Sequence, residues 1–383
     1  MDLKGRRYLV VGAGFFGAVI AERIAADRGE RVLLIDRRSH IGGNSFSADD
    51  PQTGIECHVY GSHIFHTGDA AVWNYVRRFS TFNSYRHRVL AAYRGAVYQM
   101  PINLATINRF YGKNLTPAGA MAFIRDEIAK EGISTPANLE EKAVSLIGRP
   151  LYEAFIRGYT VKQWGVDPVL LPESIIDRLP VRYTYKSDYF NDPWQGIPLG
   201  GYHRLFHKLL DHANIEVSLN TDYFAIRDRI PAGCTVIFTG PIDRFFDYRF
   251  GRLGWRNLRF EKEICDVGDF QGTSVMNYVE STAPFTRIHE FRHYHEERNY
   301  PKDATVIYRE YSVAGETDDD PAYPVNTARD RELFVRYAVE AKKYPHVIFG
   351  GRLGSYQYLD MDKTIAAALS TYAERIRRGG ERS

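Results

Sequence analysis

The run Gly12-Ala13-Gly14-Phe15-Phe16-Gly17 follows four apolar residues, Tyr8 to Val11, and opens a stretch in which Ile20 and Ile24 recur at helical spacing. Each glycine at that spacing has its own use. Gly12 permits a tight turn, Gly14 lets the backbone approach a pyrophosphate, and Gly17 lets a helix pack closely onto a sheet. The helix start also offers unpaired N–H donors and the positive end of a dipole to phosphate. A second apolar run, Arg31 to Asp36, ends in a carboxylate placed to accept hydrogen bonds from ribose hydroxyls. That carboxylate would repel a 2′-phosphate, so FAD or NAD is expected rather than NADP. Gly12, Gly14, Phe16, Gly17 and Asp36 are therefore assigned to a cofactor. The small residues of Gly42-Gly43-Asn44-Ser45, soon after the second strand, let backbone pass near more of a long cofactor and add Gly43 and Asn44.

Other chemistry is less marked. His63 and His66 stand three apart and could be read as metal ligands, but no further ligands complete a metal-site spacing around them. No carboxylate pair suggests acid–base work, and no Ser/His/Asp order is visible. Phe155 and Tyr159 lie four apart and would share one side of a helix. That side is either packed in a core or offered as a flat face to a ring.

The elements that must position these groups fall into an interrupted pattern. Strand–helix texture occurs at the start, around residues 199–245 and again at the end. We expect one Rossmann-like FAD-binding domain of the α/β class, assembled from residues 1–84, 199–245 and 329–383. An inserted helical bundle spans 102–166, with Thr116-Pro117 and Asn138 as helix starts and Met121, Ile124 and Ile128 on one face. An antiparallel sheet domain draws on 85–101, on 167–198 together with a mobile loop, and on 246–328.

Bulk properties narrow the classes. The chain has 383 residues, which is long for one core, and its formal charge of +3 comes from scattered basic residues, so no nucleic-acid surface is indicated. Three widely spaced cysteines, Cys57, Cys234 and Cys265, form no disulfide framework or zinc spacing and fit a reducing, cytoplasmic setting. The strand pattern begins at Tyr8, leaving no room for a signal peptide, and no apolar run approaches a membrane span. The 26 Tyr and 22 Phe serve packing for the most part, with some free to line a sugar or ring pocket.

Late in the chain, Gly350-Gly351-Arg352 follows an apolar strand and precedes Tyr358-Leu359-Asp360-Met361-Asp362 and a final helix. This arrangement resembles flavoproteins of the amine-oxidase type, whose C-terminal strand–turn–helix returns to the flavin end of the cofactor. That likeness favours FAD and brings in Arg352, Asp360 and Met361. No second glycine fingerprint exists to imply a separate nicotinamide domain.

A more specific resemblance runs over nearly the whole chain. It is carried by Gly42-Gly43-Asn44-Ser45, the segment Tyr60 to Thr67, Leu151 to Phe155, Gly158 to Gly165, Arg178 to Arg182, Val275 to Tyr278, and Gly351 to Asp362. In order and spacing these resemble the bacterial UDP-galactopyranose mutases. The resemblance implies reduced FAD, whose N5 attacks the anomeric carbon of galactose and displaces UDP. The ring then opens and re-closes to give UDP-galactofuranose with no net redox change. It also implies an external reductant and a homodimer. By the same resemblance Arg178 and Arg287 hold the departing diphosphate, His63 sits beside the flavin ring, and Tyr323 and Tyr358 lie near the phosphates. Tyr159 stacks on uracil, Phe155, Thr160 and Asn277 line the nucleotide site, and Trp164 marks a lid. Tyr185 and His87 complete the expected substrate contacts. Ser62 stands where that family often has Pro, and His87 where a sugar-contacting Asn is expected. Two other readings compete: an amine-oxidase-like FAD oxidoreductase, and a flavin or UDP-sugar binding protein without turnover. Against the first, an arginine and Tyr/Trp set suits a nucleotide diphosphate rather than a neutral amine.

Overall fold

The computed structural model describes residues 3, 5–178, 181–315 and 321–377, and of these leaves aside the side chains of 174, 177 and 178. Tyr8–Val11 and Val32–Ile35 are buried at every position, as strands covered on both faces must be. They lie at the centre of a five-stranded parallel sheet. Its order is Val347–Phe349, Thr235–Phe238, Tyr8–Val11, Val32–Ile35, Ile215–Ser218. One sheet is thus built from three separated stretches of chain. The helix Phe15–Arg28 shows why they stay together. Ten of its residues are buried, and it packs against both the final helix, Met361–Thr371, and the helix Gly201–Leu210. That burial is apolar nearly all round, which suits a helix enclosed in a core.

The second sheet has seven strands, in the order Tyr323–Pro324, Trp255–Cys265, Thr305–Gly315, Arg287–Glu290, Val275–Tyr278, Val89–Tyr93, Ala96–Met100. It is mixed rather than wholly antiparallel, because Met276–Tyr278 runs parallel to Leu90–Ala92. Two hairpins from distant parts of the chain meet edge to edge there, and no short connection dictates their relative direction. A further difference concerns Trp194–Gly196. It pairs with Phe65–Thr67 in a separate two-stranded ribbon and does not join the large sheet.

The helices between the sheets start where the sequence places them. The Thr116 hydroxyl accepts from the Gly119 N–H, with Pro117 in the first turn, and the Asn138 side chain accepts from the Glu141 N–H. Ala120 and Ile124 form the buried face of the first of these helices, whereas Met121 is exposed. From Arg149 to Trp164 the chain stays helical, but Tyr152–Arg157 winds as a π-helix before α geometry resumes at Gly158–Trp164. Among the described residues no helix is long and apolar enough to cross a membrane. The three cysteines are buried and free.

Candidate active site

The glycine turn joins the strand Tyr8–Val11 to the helix at Phe15. Gly12 has φ +105°, and a Cβ there would meet the Thr239 hydroxyl oxygen at 2.0 Å. At Gly17 a Cβ would come within 2.0 Å of the Gly12 carbonyl oxygen. Neither position can carry a side chain without moving the turn. The Asp36 carboxylate accepts from the Ala13 N–H at 2.7 Å and from the Arg38 N–H at 2.9 Å. It therefore holds the turn in place. Gly43 comes so near the turn that a Cβ would lie 3.0 Å from the Gly14 Cα. The Asn44 side-chain Oδ1 accepts from the Arg38 guanidinium at 2.9 Å.

These residues line one long cleft at the carboxyl edge of the parallel sheet, where open α/β sheets bind nucleotides. Gly12, Gly14, Phe16, Gly17, Asp36, Gly43, Asn44, His63, Arg352 and Met361 all border it. Asp360 stands one position outside, at the N-cap of the final helix. Residues 221–224 and Arg244 border the cleft too and were not foreseen. They follow the strands Ile215–Ser218 and Thr235–Phe238, and the loop after any parallel strand opens onto this edge. Across the cleft the start and end of the chain interlock. A Cβ at Gly350 would lie 2.1 Å from the tip of the Phe16 ring.

At one end of the cleft stand His63 and Arg352. The His63 Nδ1–H donates to the Gly61 carbonyl at 2.7 Å, which leaves Nε2 as the acceptor nitrogen. Burial, reinforced by the Arg352 charge, pulls this imidazole down to about 4, so it is neutral near pH 7. The Arg352 guanidinium donates to the carbonyls of Ala322 at 2.9 Å and Leu359 at 2.7 Å. It lies over the rings of Tyr323 and Tyr358, which stack on each other with centroids 5.4 Å apart.

Just beyond is a row built by strand register. Asn277 is paired with Arg287, and Arg287 with Glu310, so the three stand side by side on one face of the mixed sheet. The Arg287 Nε lies 3.3 Å from a Glu310 oxygen, and its Nη2 donates to the Tyr159 hydroxyl. Burial alone would raise the Glu310 carboxyl. The Arg287 charge and a hydrogen bond from His289 instead hold it down at about 2. Behind Glu310 the polar chain is directed. The His289 Nε2–H donates to Glu310 at 2.8 Å, its Nδ1 accepts from the Ser62 hydroxyl, and Ser62 accepts from Tyr294. The serine found where proline was expected is thus a working link. The Asn277 side-chain oxygen is buried and accepts no hydrogen bond within the protein.

His87 is buried, its Nδ1 3.0 Å from the Tyr85 hydroxyl, with its ring against Tyr189 and Phe190. Burial and the nearby Arg287 charge bring it down to about 3. Thr160 is buried beside Tyr159, and Trp164 closes the helix, which Gly165 ends at φ +70°.

Three expectations need correction or restriction. Phe155 does not face the site. It is 2% exposed, and its ring sits among Tyr93, Tyr98 and Phe110, with the Tyr98 centroid 5.0 Å away. The π-helical stretch Tyr152–Arg157 holds it in this aromatic core, whereas Tyr159 follows where α geometry resumes. Tyr185 is 66% exposed, whereas Tyr189, four positions on, lies near enough to Arg287 and Tyr159 to act on both electrostatically. The Arg178 side chain lies outside the described residues, and the main chain places it at the end of the short helix Glu173–Arg178.

A Rossmann-type nucleotide cleft, with a half-buried arginine, an unsatisfied amide oxygen and stacked tyrosines near its His63 and Arg352, has the parts of an enzyme that uses a flavin or nucleotide cofactor. The comparisons with known proteins agree. The model of the UDP-galactopyranose mutase family matches residues 154–358, and that of an NAD(P)-binding Rossmann-like domain matches residues 10–79. A probable UDP-galactopyranose mutase of Klebsiella pneumoniae is 44% identical over 97% of this chain and 95% of its own. A dTDP-fucopyranose mutase of Escherichia coli is 40% identical over 95% of this chain and 96% of its own. The crystal structure of reduced UDP-galactopyranose mutase shares the fold, with a TM-score of 0.73 at 15% identity, covering 99% of this chain and 98% of that one. The chain belongs to the UDP-galactopyranose mutase family.

Proposed function

We propose that this chain interconverts UDP-galactopyranose and UDP-galactofuranose, as an isomerase using reduced FAD. The observation that carries the reading is the row Asn277, Arg287 and Glu310, with Tyr159 against it, within electrostatic reach of the cleft residue His63 and of Tyr323 beside Arg352. FAD is favoured over a nicotinamide because the cradle does not stop at the pyrophosphate turn. It continues past Gly43 to the Gly351–Met361 segment, so groups from both ends of the chain line one cleft longer than a pyrophosphate turn alone. When bound and reduced, FAD would supply a nucleophilic ring nitrogen for the anomeric carbon, so that the sugar can open and re-close without net oxidation.

The protein's own groups have the remaining tasks. The Gly12–Gly17 turn holds the pyrophosphate and Asp36 a ribose. His63, neutral with Nε2 as an acceptor, fits beside the flavin ring, with Arg352, Asp360 and Met361 at the same end. Tyr159 offers its ring to uracil, a stack worth about 1–3 kcal/mol. The orphaned Asn277 oxygen suits the uracil N3–H, and its NH2 group a neighbouring carbonyl. The Arg287 guanidinium, already desolvated, meets the diphosphate with two parallel N–H donors and stabilises UDP as it departs. Arg178 supplies the second cation, Tyr323 and Tyr358 donate hydroxyl protons to phosphate oxygens, and Thr160 and Trp164 border the nucleotide. His87 faces the hexose. To this reading also belong an external two-electron donor, a cytoplasmic location and a homodimer, each testable apart from turnover.

Purified protein incubated with UDP-galactose should isomerise it under dithionite and fail to do so in air. Oxygen consumption with an amine donor, without isomerisation, would instead establish the oxidoreductase. The Escherichia coli relative motivates a second substrate reading, a thymidine-linked 6-deoxyhexose. Comparing kcat/KM for UDP-galactopyranose and dTDP-fucopyranose decides between them.

A further inference from the structure

Beneath the Tyr159 helix the structure holds a cation that the reaction does not use. The Lys162 ammonium donates to four backbone carbonyls: Tyr278 at 2.5 Å, Glu280 at 2.8 Å, Phe285 at 2.9 Å and Ala283 at 3.0 Å. An ammonium has three N–H bonds, so one is shared, and no donor is left over. The Tyr278 carbonyl ends the strand Val275–Tyr278, and the other three belong to the bend joining it to Arg287–Glu290. The first follows Asn277 directly, and the last precedes Arg287 by two residues.

One side chain therefore ties the helix carrying Tyr159, Thr160 and Trp164 to the hairpin carrying Asn277 and Arg287. Among the described residues, the hydrogen bonds joining this helix to this hairpin come from Lys162 and from the Arg287–Tyr159 pair. The second tie joins two groups that both turn to the nucleotide, so substrate competes for it. The Lys162 tie survives binding. Close backbone approach supports it from the next turn, since a Cβ on Gly158 would lie 2.4 Å from the Val279 carbonyl oxygen.

We propose that Lys162 is a positioning residue that sets the gap between the stacking face of Tyr159 and the Asn277–Arg287 row, and so fixes the width of the site for a nucleoside diphosphate. The inference rests on the uridine diphosphate reading above. It assigns Lys162 no contact with substrate. Its loss should weaken nucleotide binding and leave the chemistry of a fully bound substrate nearly unchanged.

The test uses flavin-loaded Lys162→Met and Gly158→Ala proteins. Gly158 sits at an ordinary helical φ of −64°, and alanine favours helix. The clash with Val279 is therefore the penalty the second variant carries. UDP affinity is measured by titration calorimetry on the oxidised protein, and kcat and KM on the reduced one. In both variants the UDP Kd and the KM should rise at least about tenfold, kcat at saturation should stay within about threefold, and flavin content should be unchanged. A wild-type UDP Kd in either flavin-replete variant overturns the proposal. So does a fall in kcat at unchanged KM, or a loss of flavin in step with UDP affinity, which would mark a merely structural lysine. Failure of the parent protein to bind UDP would remove the functional reading itself, a result distinguishable from each of these.

Discussion

Replacing Arg287 by alanine perturbs the site at its most heavily compensated point. The guanidinium lies 3.3 Å from Glu310 and is half-buried, so its charge is only partly screened where a diphosphate would depart. Removing one preorganised donor of this kind costs about 10²–10³ in kcat. A full charge is lost here and the Glu310 carboxylate is exposed to the leaving phosphate, so the upper end, about 10³, is expected. The double variant Arg287→Ala/Glu310→Gln, which removes that repulsion, should recover about tenfold of the loss. Stability carries a separate signature. In the parent, the Glu310 carboxyl is held at about 2, below the 4.5 of an unperturbed glutamate. Its contribution to stability is therefore complete above about 4.5 and is lost as the pH falls toward 2. Without Arg287 the burial penalty on the carboxyl is opposed by His289 and Thr286, so it rises from its parent position. Less of the variant's stability then depends on the ionised carboxylate, and its Tm deficit against the parent should shrink as the pH falls from about 4.5 toward 2. The assays are chromatography of UDP-sugars under dithionite, flavin absorbance and thermal scans at several pH values. Turnover of the single variant within tenfold of the parent, with flavin intact, would refute the assignment of Arg287 to the leaving group.

Other expectations are more compact. His63 is held at about 4 and His87 at about 3, so their imidazole resonances, identified by His63→Asn and His87→Asn, should not titrate between pH 5 and 8. Both become charged only as the pH falls through those values, and a midpoint near 6.5 for either would contradict the burial argument. Gly17→Ala places a Cβ 2.0 Å from a backbone oxygen and should lower both Tm and the flavin absorbance per chain, overpacking costing about 1–3 kcal/mol. Tyr185→Ala should leave KM within about twofold, because that side chain stands on the surface. Tyr189→Ala should raise KM by about tenfold or more, and equal effects of the two would undo the placement of Tyr189 beside Arg287.

Much of the fold is legible because its signals are local. The glycine turn, the helix starts at Thr116 and Asn138, and the fully apolar strands each depend on residues within a few positions of one another. What the sequence hides is set by contacts between distant segments. The parallel joint between Met276–Tyr278 and Leu90–Ala92 unites two hairpins almost two hundred residues apart, and alternation of apolar residues is the same for either direction. Trp194–Gly196 has strand character whichever sheet it joins, and its partner Phe65–Thr67 is decided by packing alone.

The same division runs through the site. Gly12, Gly17 and Asp36 announce themselves because their chemistry requires those residue types at that spacing. The spacing of Phe155 and Tyr159 leaves open whether a side chain there serves core or site, and the packing of Tyr93, Tyr98 and Phe110 around Phe155 decides it. Arg287, Asn277 and Glu310 come together through strand register, with Asn277 and Arg287 ten residues apart and Glu310 twenty-three further on. No helical or strand period links such positions. Lys162 is harder still, since its partners are main-chain carbonyls, which every residue possesses and no residue type advertises. Groups that touch a ligand can be sought by their chemistry. Groups that set the distance between them emerge only when the backbone is in place, and a family whose members act on different nucleotide sugars has reason to vary those as well as the contacts.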